Sequence, residues 1–220
     1  MTSGTLALVG GGEWTDGCTF DAELLEARGG REVVVLPTGS AYENPAAVVA
    51  RAGAWFAGLG ADVVEAPVLT RRDGFAEENL ALVANARFVY VAGASAMHLR
   101  SVLKDSPLFE ALTTVLADGG VLAGTAAGAD VLCDPMVDSR GGAFTVGLGV
   151  VAGLAVIPRS NTWSRDKIHR TVQLAPPGLV LAELPEATAL IRRDGTWRSA
   201  GVGEVQVFRD GALTDLAALP

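Results

Sequence analysis

Runs of consecutive apolar residues alternate with segments of helical spacing along the first two-thirds of the chain. Unbroken apolar runs are typical of strands buried on both faces of a parallel sheet, and the Gly and Pro residues between them mark where elements begin and end. The predicted strands are Thr5–Val9, Val33–Leu36 with its end at Pro37, a run beginning at Val63-Val64, Phe88–Val91 and Val121–Ala123. The predicted helices are Phe20–Arg28 with its stop at Gly29-Gly30, Pro45–Leu59, Ala76–Ala84, a helix that Ser106-Pro107 opens and that runs to Asp118, and Arg165–Val172.

Beyond the last helix the pattern changes to short β-rich runs with hairpin-type dipeptides at Asp194-Gly195 and Asp210-Gly211. The runs are Leu179–Leu184, Ala189–Arg192 and Glu204–Phe208. We expect antiparallel strands here that extend the main sheet or pack beside it. The whole pattern predicts an α/β fold: a doubly wound, mostly parallel sheet in a three-layer sandwich with C-terminal antiparallel strands, in a single domain over residues 1–220.

The acidic composition narrows the classes of partner. The 25 acidic residues outnumber the 17 basic ones and give a net charge of −8, which argues against a general nucleic-acid binder and against docking on an anionic membrane. Two Cys and two His are too few for a disulfide framework or a zinc site, so we expect no metal. We expect no cofactor either. The longest apolar stretch, Val146–Pro158, is too short to span a membrane, and no basic segment precedes Leu6, so the predicted location is the cytoplasm.

Two glycine-rich segments follow predicted strands, at the sheet edge where a doubly wound fold has its ligand crevice. Gly10–Gly12 fails the dinucleotide fingerprint because Thr15 stands where the third glycine is needed, and the chain has no P-loop motif. Gly124 and Gly128 have the spacing of the G-x-S-x-G nucleophile elbow, a strained turn between strand and helix. Its middle position is Ala126, whose methyl group cannot attack a carbonyl. On spacing alone, close strand–helix packing by small residues is the competing interpretation.

Several segments between residues 4 and 172 resemble, in order, the peptidase E and cyanophycinase family, which are serine hydrolases with a class I glutamine amidotransferase-like fold. The segments are Gly10–Glu13 for the glycine turn, Val35–Ala41 for the PTAS-like loop, Val89–Leu99 for the GG[DN]Q segment, Gly124–Ala129 for the G-T-S-A-G-A elbow, and Gly147–Ile157 with Ser164–Ile168 for the region of the catalytic His and the Arg-rich helix. The resemblance implies action on acidic peptides, either dipeptides with an N-terminal Asp or the Asp–Arg polymer cyanophycin.

The chain departs from the family pattern at the positions that carry hydrolysis. The family's nucleophilic Ser falls on Ala126, and its general-base His falls on or near Arg159, whose guanidinium stays protonated near neutral pH. Ser95-Ala96 replaces the polar pair of the GG[DN]Q loop. The resemblance therefore implies a degenerate member with no intact catalytic residue, in which Ala126 marks the former nucleophile position and Arg159 the former base position.

The leading interpretation is a protein that binds a small acidic ligand, a peptide or a protein partner without hydrolysing it. Clustered Arg side chains suit carboxylates, and such a cluster occurs late in this acidic chain. The cluster comprises Arg159, Arg165, Lys167 and Arg170, with Arg100 approaching from the helix after the fourth strand. The candidate ligand-binding residues are Gly11, Gly12, Gly93, Ser95, Ala127, Ser160 and Arg165, with Glu13 and Trp14 as an opposite wall.

Two alternatives stay open. One is an active serine-type hydrolase of acidic peptides with a non-standard nucleophile such as Cys18, and the other is a structural or subunit role in which the crevice is filled. Thr125 is expected to point away from the crevice, and Cys133 is expected to be a small core residue. Neither His98 nor His169 falls where the family base belongs. The assembly state is open as well, with a homodimer as one alternative.

Overall fold

The computed structural model describes residues 4–27 and 30–220, so Arg28 and Gly29, at the predicted end of the first helix, lie outside the described residues. The strands, numbered along the chain, are β1 (Thr5–Val9), β2 (Glu32–Gly39), β3 (Asp62–Glu65), β4 (Phe88–Gly93), β5 (Val121–Thr125), β6 (Cys133–Asp134), β7 (Met136–Val137), β8 (Phe144–Thr145), β9 (Val151–Ala152), β10 (Leu154–Pro158), β11 (Val180–Leu184), β12 (Thr188–Arg193), β13 (Thr196–Gly201), β14 (Gln206–Arg209) and β15 (Ala212–Thr214). The α-helices are α1 (Phe20–Glu26), α2 (Pro45–Gly58), α3 (Glu77–Asn85), α4 (Ala96–Leu103), α5 (Pro107–Ala117), α6 (Ala127–Leu132) and α7 (Arg165–Gln173). Short 3-10 helices span Arg71–Phe75, Ser160–Thr162 and Leu216–Ala218.

The main sheet has seven strands in the order β13-β12-β1-β5-β4-β2-β3. The five strands from β1 to β3 in this order are parallel, and β12 and β13 extend them with antiparallel pairing. Helices cover both faces. Phe56 of α2 packs edge-on against Tyr90 of β4 on one face, while Leu112 of α5 shares a buried cluster with Leu36 and Val91 on the other. The predicted α/β fold with a mostly parallel sheet is confirmed.

One strand boundary was predicted wrongly. β2 does not end at Pro37 but continues to Gly39, because its pairing with β4 shifts register between Leu36 and Gly39. Proline has no backbone N–H to donate to a neighbouring strand. Because the regular pairing is interrupted at Pro37, no hydrogen bond from that residue is needed. The extension brings Ser40, the residue after β2, to the same edge of the sheet as the loop after β4.

A second sheet packs beside the first, in the order β15-β14-β11-β10-β6-β9. Val156 of β10 belongs to the core cluster shared with α6, and Ile157 points to the other face, where Ile168 and Val172 of α7 cover it. The expectation that β11 is antiparallel holds only for its pairing with β14, because β11 is parallel to β10. As a result, β10 and β11 end at the same edge of this sheet.

The C-terminal turns follow the sequence prediction. The β12–β13 hairpin turns at Asp194 (φ 51°) and Gly195 (φ 75°), and the β14–β15 hairpin turns at Asp210 (φ 51°) and Gly211 (φ 77°). Positive φ at both central residues is the requirement of a type I′ turn. Within residues 4–27 and 30–220, no helix combines the length and the apolar character needed to cross a membrane.

Candidate functional site

A sharp strand-to-helix turn is centred on Ala126. β5 ends at Thr125, α6 begins at Ala127, and Ala126 has φ 49° and ψ −111°, in a region that favours glycine. Its N–H donates to the carbonyl of Val9 (2.9 Å). The flanking glycines are required by packing, since a Cβ on Gly124 would lie 2.6 Å from the Gly128 carbonyl oxygen. The structure thus has the geometry of an elbow, with a methyl group at its apex.

Arg159 lies beside this turn. It follows β10 in a left-handed conformation (φ 53°, ψ 36°), and its N–H donates to the Gly10 carbonyl (2.7 Å). A Cβ on Gly11 would lie 2.7 Å from Cγ of Arg159 and 3.5 Å from Cβ of Ala126. Gly11 is therefore wedged between both side chains, and only a residue without a Cβ leaves room for the Arg159 stem. The structure brings together the two positions that the family resemblance paired.

Glu186, in the loop after β11, holds the Arg159 side chain. Nε of Arg159 donates to Oε1 of Glu186 (3.0 Å), and Nδ2 of Asn161 donates to Oε2 (3.2 Å). The Glu186 backbone N–H donates in return to Oδ1 of Asn161 (2.9 Å). Sequence reasoning missed both residues, because it treated the late strands as antiparallel and did not examine the exit of β11 as a crevice loop.

A cavity of about 990 Å³ opens where these loops meet. Of the residues predicted to form the site, it is lined by Gly12, Glu13, Trp14, Gly93, Ser95, Ala126, Ala127 and Arg159. Gly11, Ser160 and Arg165 are not among its lining residues. Gly11 is buried under Arg159, Ser160 is buried in a 3-10 helix, and Arg165 lies on α7. Burial raises the pKa of Glu183, and the charge of Arg165 opposes that rise.

The predicted basic cluster does not converge on the cavity. Lys167 Nζ donates to the Ser139 carbonyl and lies 3.3 Å from the ring centre of Trp163, and Arg170 donates to the Arg140 carbonyl (3.2 Å). These contacts tie α7 to the segment between β7 and β8. Arg100 lies outside the lining as well. Among the predicted basic residues, Arg159 is the one that reaches the cavity.

Glu13 forms the predicted opposite wall together with Trp14. Oε1 of Glu13 accepts from Nη2 of Arg51 (3.0 Å), a lining residue of α2 that sequence reasoning missed. Oε2 accepts from the hydroxyl of Thr125 (3.0 Å). Thr125 is fully buried and is not a lining residue, so its hydroxyl holds the Glu13 wall and is not itself presented to a ligand.

The remaining nucleophile and base candidates lie outside the cavity lining. Burial raises the pKa of the Cys18 thiol, and its Sγ contacts the Gly12 carbonyl at 3.5 Å. The Cys133 thiol is buried at the end of α6. His98 contacts the Leu69 carbonyl through Nε2 (2.8 Å), and His169 is exposed on α7. The lining residues of the described chain include no histidine and no cysteine.

Three further carboxyl groups, those of Glu43, Asp130 and Asp138, line the cavity and were not predicted. Burial raises the pKa of Asp130, on α6, to about 8. Hydrogen bonds from Arg140 lower the pKa of Asp138, on the segment between β7 and β8, to about 2. Near neutral pH the Asp130 carboxyl is therefore protonated and the Asp138 carboxyl is ionised.

Comparison with known proteins identifies the family. The model of peptidase family S51 matches residues 6–199. The chain belongs to peptidase family S51. It is 29% identical over 160 residues to cyanophycinases of Synechococcus elongatus and Thermosynechococcus vestitus; the match covers 67% of this chain and 50% of each relative, so the chain spans about half the length of the curated relatives it matches. The crystal structure of a peptidase from an acI-B1 Actinobacterium matches with a TM-score of 0.85 and 27% identity, covering 97% of this chain and 93% of that one.

Proposed function

We propose that this member of peptidase family S51 binds a small acidic ligand or peptide in the cavity beside Ala126 and does not hydrolyse it. The observation that carries the proposal is the combination at the elbow. The strained turn and the open cavity are both present, but the side chain at the apex is a methyl group. An open cavity also argues against the alternative in which the crevice is filled by the chain itself.

Hydrolysis by a serine-type mechanism needs a nucleophile and a base that removes its proton. Ala126 has no atom that can form a covalent bond to a carbonyl. Arg159 holds its proton at any pH near neutral, so it cannot act as the base. Cys18 does not take over, because its thiol is kept protonated by burial and does not line the cavity.

The ligand class follows from Arg159. Nε is occupied by Glu186, while the two Nη groups make no hydrogen bond within the described residues and the side chain is 55% exposed. A planar guanidinium with free Nη groups suits a carboxylate. Five acidic residues line the cavity. Glu13, Asp138 and Glu186 are each paired with an arginine and Asp130 is neutral, so Glu43 is the carboxylate that opposes such a ligand without an ion pair among the described residues.

The test separates binding from turnover. We expect the purified protein to bind N-acetyl-Asp-Leu by calorimetry and to leave Asp-Leu uncleaved after prolonged incubation. Arg159→Ala should weaken binding about tenfold or more, because a hydrogen bond to a charged group contributes roughly 1.5–3 kcal/mol. The uncharged analogue N-acetyl-Asn-Leu amide should bind weakly to both proteins.

Arg165→Ala is the matched control, since Arg165 belongs to the same basic segment but lies outside the cavity lining. It should bind N-acetyl-Asp-Leu like the wild type. Cleavage of Asp-Leu by the wild-type protein would instead show an active hydrolase, and a protein that neither binds nor cleaves these peptides would have a structural role.

A further inference from the structure

Asp130 is a buried carboxyl group that faces the cavity and that neither the elbow nor the Arg159–Glu186 pair uses. It lies on α6 one helical turn after Ala126, lines the cavity and is only 4% exposed. Its Oδ1 accepts a hydrogen bond from the backbone N–H of Val137 (2.8 Å). Oδ2 makes no hydrogen bond within residues 4–27 and 30–220, so this oxygen is the one left for a ligand.

The surroundings of Asp130 keep it uncharged. Burial raises its pKa to about 8, the carboxylate of Asp138 on the facing segment adds to this, and the Val137 N–H opposes it. The nearby Cys133, which follows this helix as the first residue of β6, is buried, and burial holds the pKa of its thiol well above the ordinary range, so it is neutral as well. Because Oδ1 already accepts from an N–H, the acid proton belongs on Oδ2.

We propose that Asp130 is a ligand-binding residue whose carboxylic acid donates a hydrogen bond from Oδ2 to a carboxylate oxygen of the ligand. The inference rests on the proposed function and adds a second recognition group to Arg159. A protonated acid is a donor that ionised carboxylates in the same cavity cannot replace. Once Asp130 ionises, it loses that donor and repels a carboxylate ligand.

The experiment is a calorimetric titration with N-acetyl-Asp-Leu from pH 6 to pH 9.5. This peptide has no free amine, and its carboxyl groups are ionised throughout the range. The wild-type dissociation constant should rise about 30-fold between the two ends, following the protonated fraction of Asp130. Asp130→Asn, whose amide keeps an acceptor for Val137 and a donor for the ligand, should bind tightly with no such rise. Asp130→Ala should bind weakly at every pH.

Asp138→Asn removes a carboxylate that does not titrate in this range but helps to raise the pKa of Asp130, so the rise should remain and begin at lower pH. Thermal melts confirm that each variant is folded. Binding that depends on Arg159 but does not change with pH would overturn the role of Asp130 and leave the proposed function intact. If the dissociation constant of Asp130→Asn still rises with pH, another group titrates, and the proposed role of Asp130 is overturned as well. Absence of binding at every pH would overturn both proposals.

Discussion

Ala126 occupies a backbone conformation that costs on the order of 1–3 kcal/mol for a residue other than glycine. The neighbouring structure enforces it: Gly124 and Gly128 pack without room for a Cβ, and the Ala126 N–H is held by Val9. In an enzyme such strain presents a nucleophile. Here it presents a methyl group to an open cavity.

The proposed absence of hydrolysis assigns the loss to Ala126 and Arg159, and placing the family's Ser and His at these two positions tests that assignment. We expect Ala126→Ser alone to stay unlabelled by a fluorophosphonate probe, because Arg159 cannot accept the serine proton. The double variant Ala126→Ser/Arg159→His should react with the probe at least roughly 100-fold faster than Ala126→Ser, because a positioned base typically contributes that much. Glu186, which now accepts from Nε of Arg159 at 3.0 Å, offers an acceptor for the imidazole N–H. Intact mass spectrometry of the adduct is the measurement.

Arg159→His alone serves as the control for this pair and should remain unlabelled. Labelling of Ala126→Ser alone would show that another group near the elbow acts as a base. If the folded double variant stays inert, the cavity has changed in more than these two side chains.

At the scale of elements, α7 shows both the reach and the limit of sequence reasoning. Its helical spacing predicted Arg165–Gln173 to within one residue. Its basic residues suggested both a solvated helix face and an anion pocket, and in the structure Lys167 and Arg170 donate to backbone carbonyls between β7 and β8 and do not line the cavity. β7 and β8 are each two residues long, so they have no hydrophobic periodicity from which they could be predicted. Their segment and α7 are also separated by about thirty residues in the sequence.

Thr171 tests how α7 holds this cavity wall. Its hydroxyl donates to the Lys167 carbonyl and accepts from the Gly142 N–H (2.9 Å). Thr171→Val keeps the shape but leaves that N–H unpaired, so we expect a loss of roughly 1–2 kcal/mol in the free energy of unfolding. Amide exchange of residues 138–145 should become faster, as measured by mass spectrometry.

Thr114→Val is the matched control. The Thr114 hydroxyl donates to the carbonyl of Glu110, four residues earlier in its own helix, as Thr171 does to Lys167, but within the described residues it accepts no hydrogen bond from the backbone of another segment. The control should lose less stability and leave exchange of residues 138–145 unchanged. Equal losses in the two variants would mean that the Gly142 hydrogen bond contributes nothing.

For the whole molecule, the parallel sheet was predictable from local apolar runs such as Val33–Leu36 and Val121–Ala123. The second sheet was not, because β6 and β9 are too short for a pattern and pair across long distances. The site divides in the same way. Gly12, Gly93 and Ala127 follow strands and were found, whereas Arg51 and Glu186 come from segments that only tertiary packing brings to the cavity.

Stability of the whole fold should depend on a carboxyl group buried under the cavity wall. Asp21 is fully buried, and its Oδ2 accepts from Nε1 of Trp55 (2.9 Å). Burial raises its pKa from the ordinary 3.8 to about 7, and the charge of Glu13 adds to this, while the Trp55 hydrogen bond opposes it. Between these two pKa values the folded chain holds a proton that the unfolded chain has released, so stability falls as pH rises from about 4 to about 7 and then levels.

A variant that cannot ionise at position 21 should lose this dependence of stability on pH. Asp21→Asn keeps an acceptor for Trp55 and cannot ionise. Its free energy of unfolding relative to the wild type should therefore increase by on the order of 1–4 kcal/mol between pH 4 and pH 8, measured by urea denaturation at each pH. If the new amide changes the free energy of unfolding by an amount that does not depend on pH, that amount is the same at pH 4 and pH 8 and cancels when the two are compared. Asp16→Asn, which removes an exposed carboxyl in the loop before α1, should show no increase. A constant difference for Asp21→Asn across this range would mean that the Asp21 carboxyl is ionised within the core even at acidic pH.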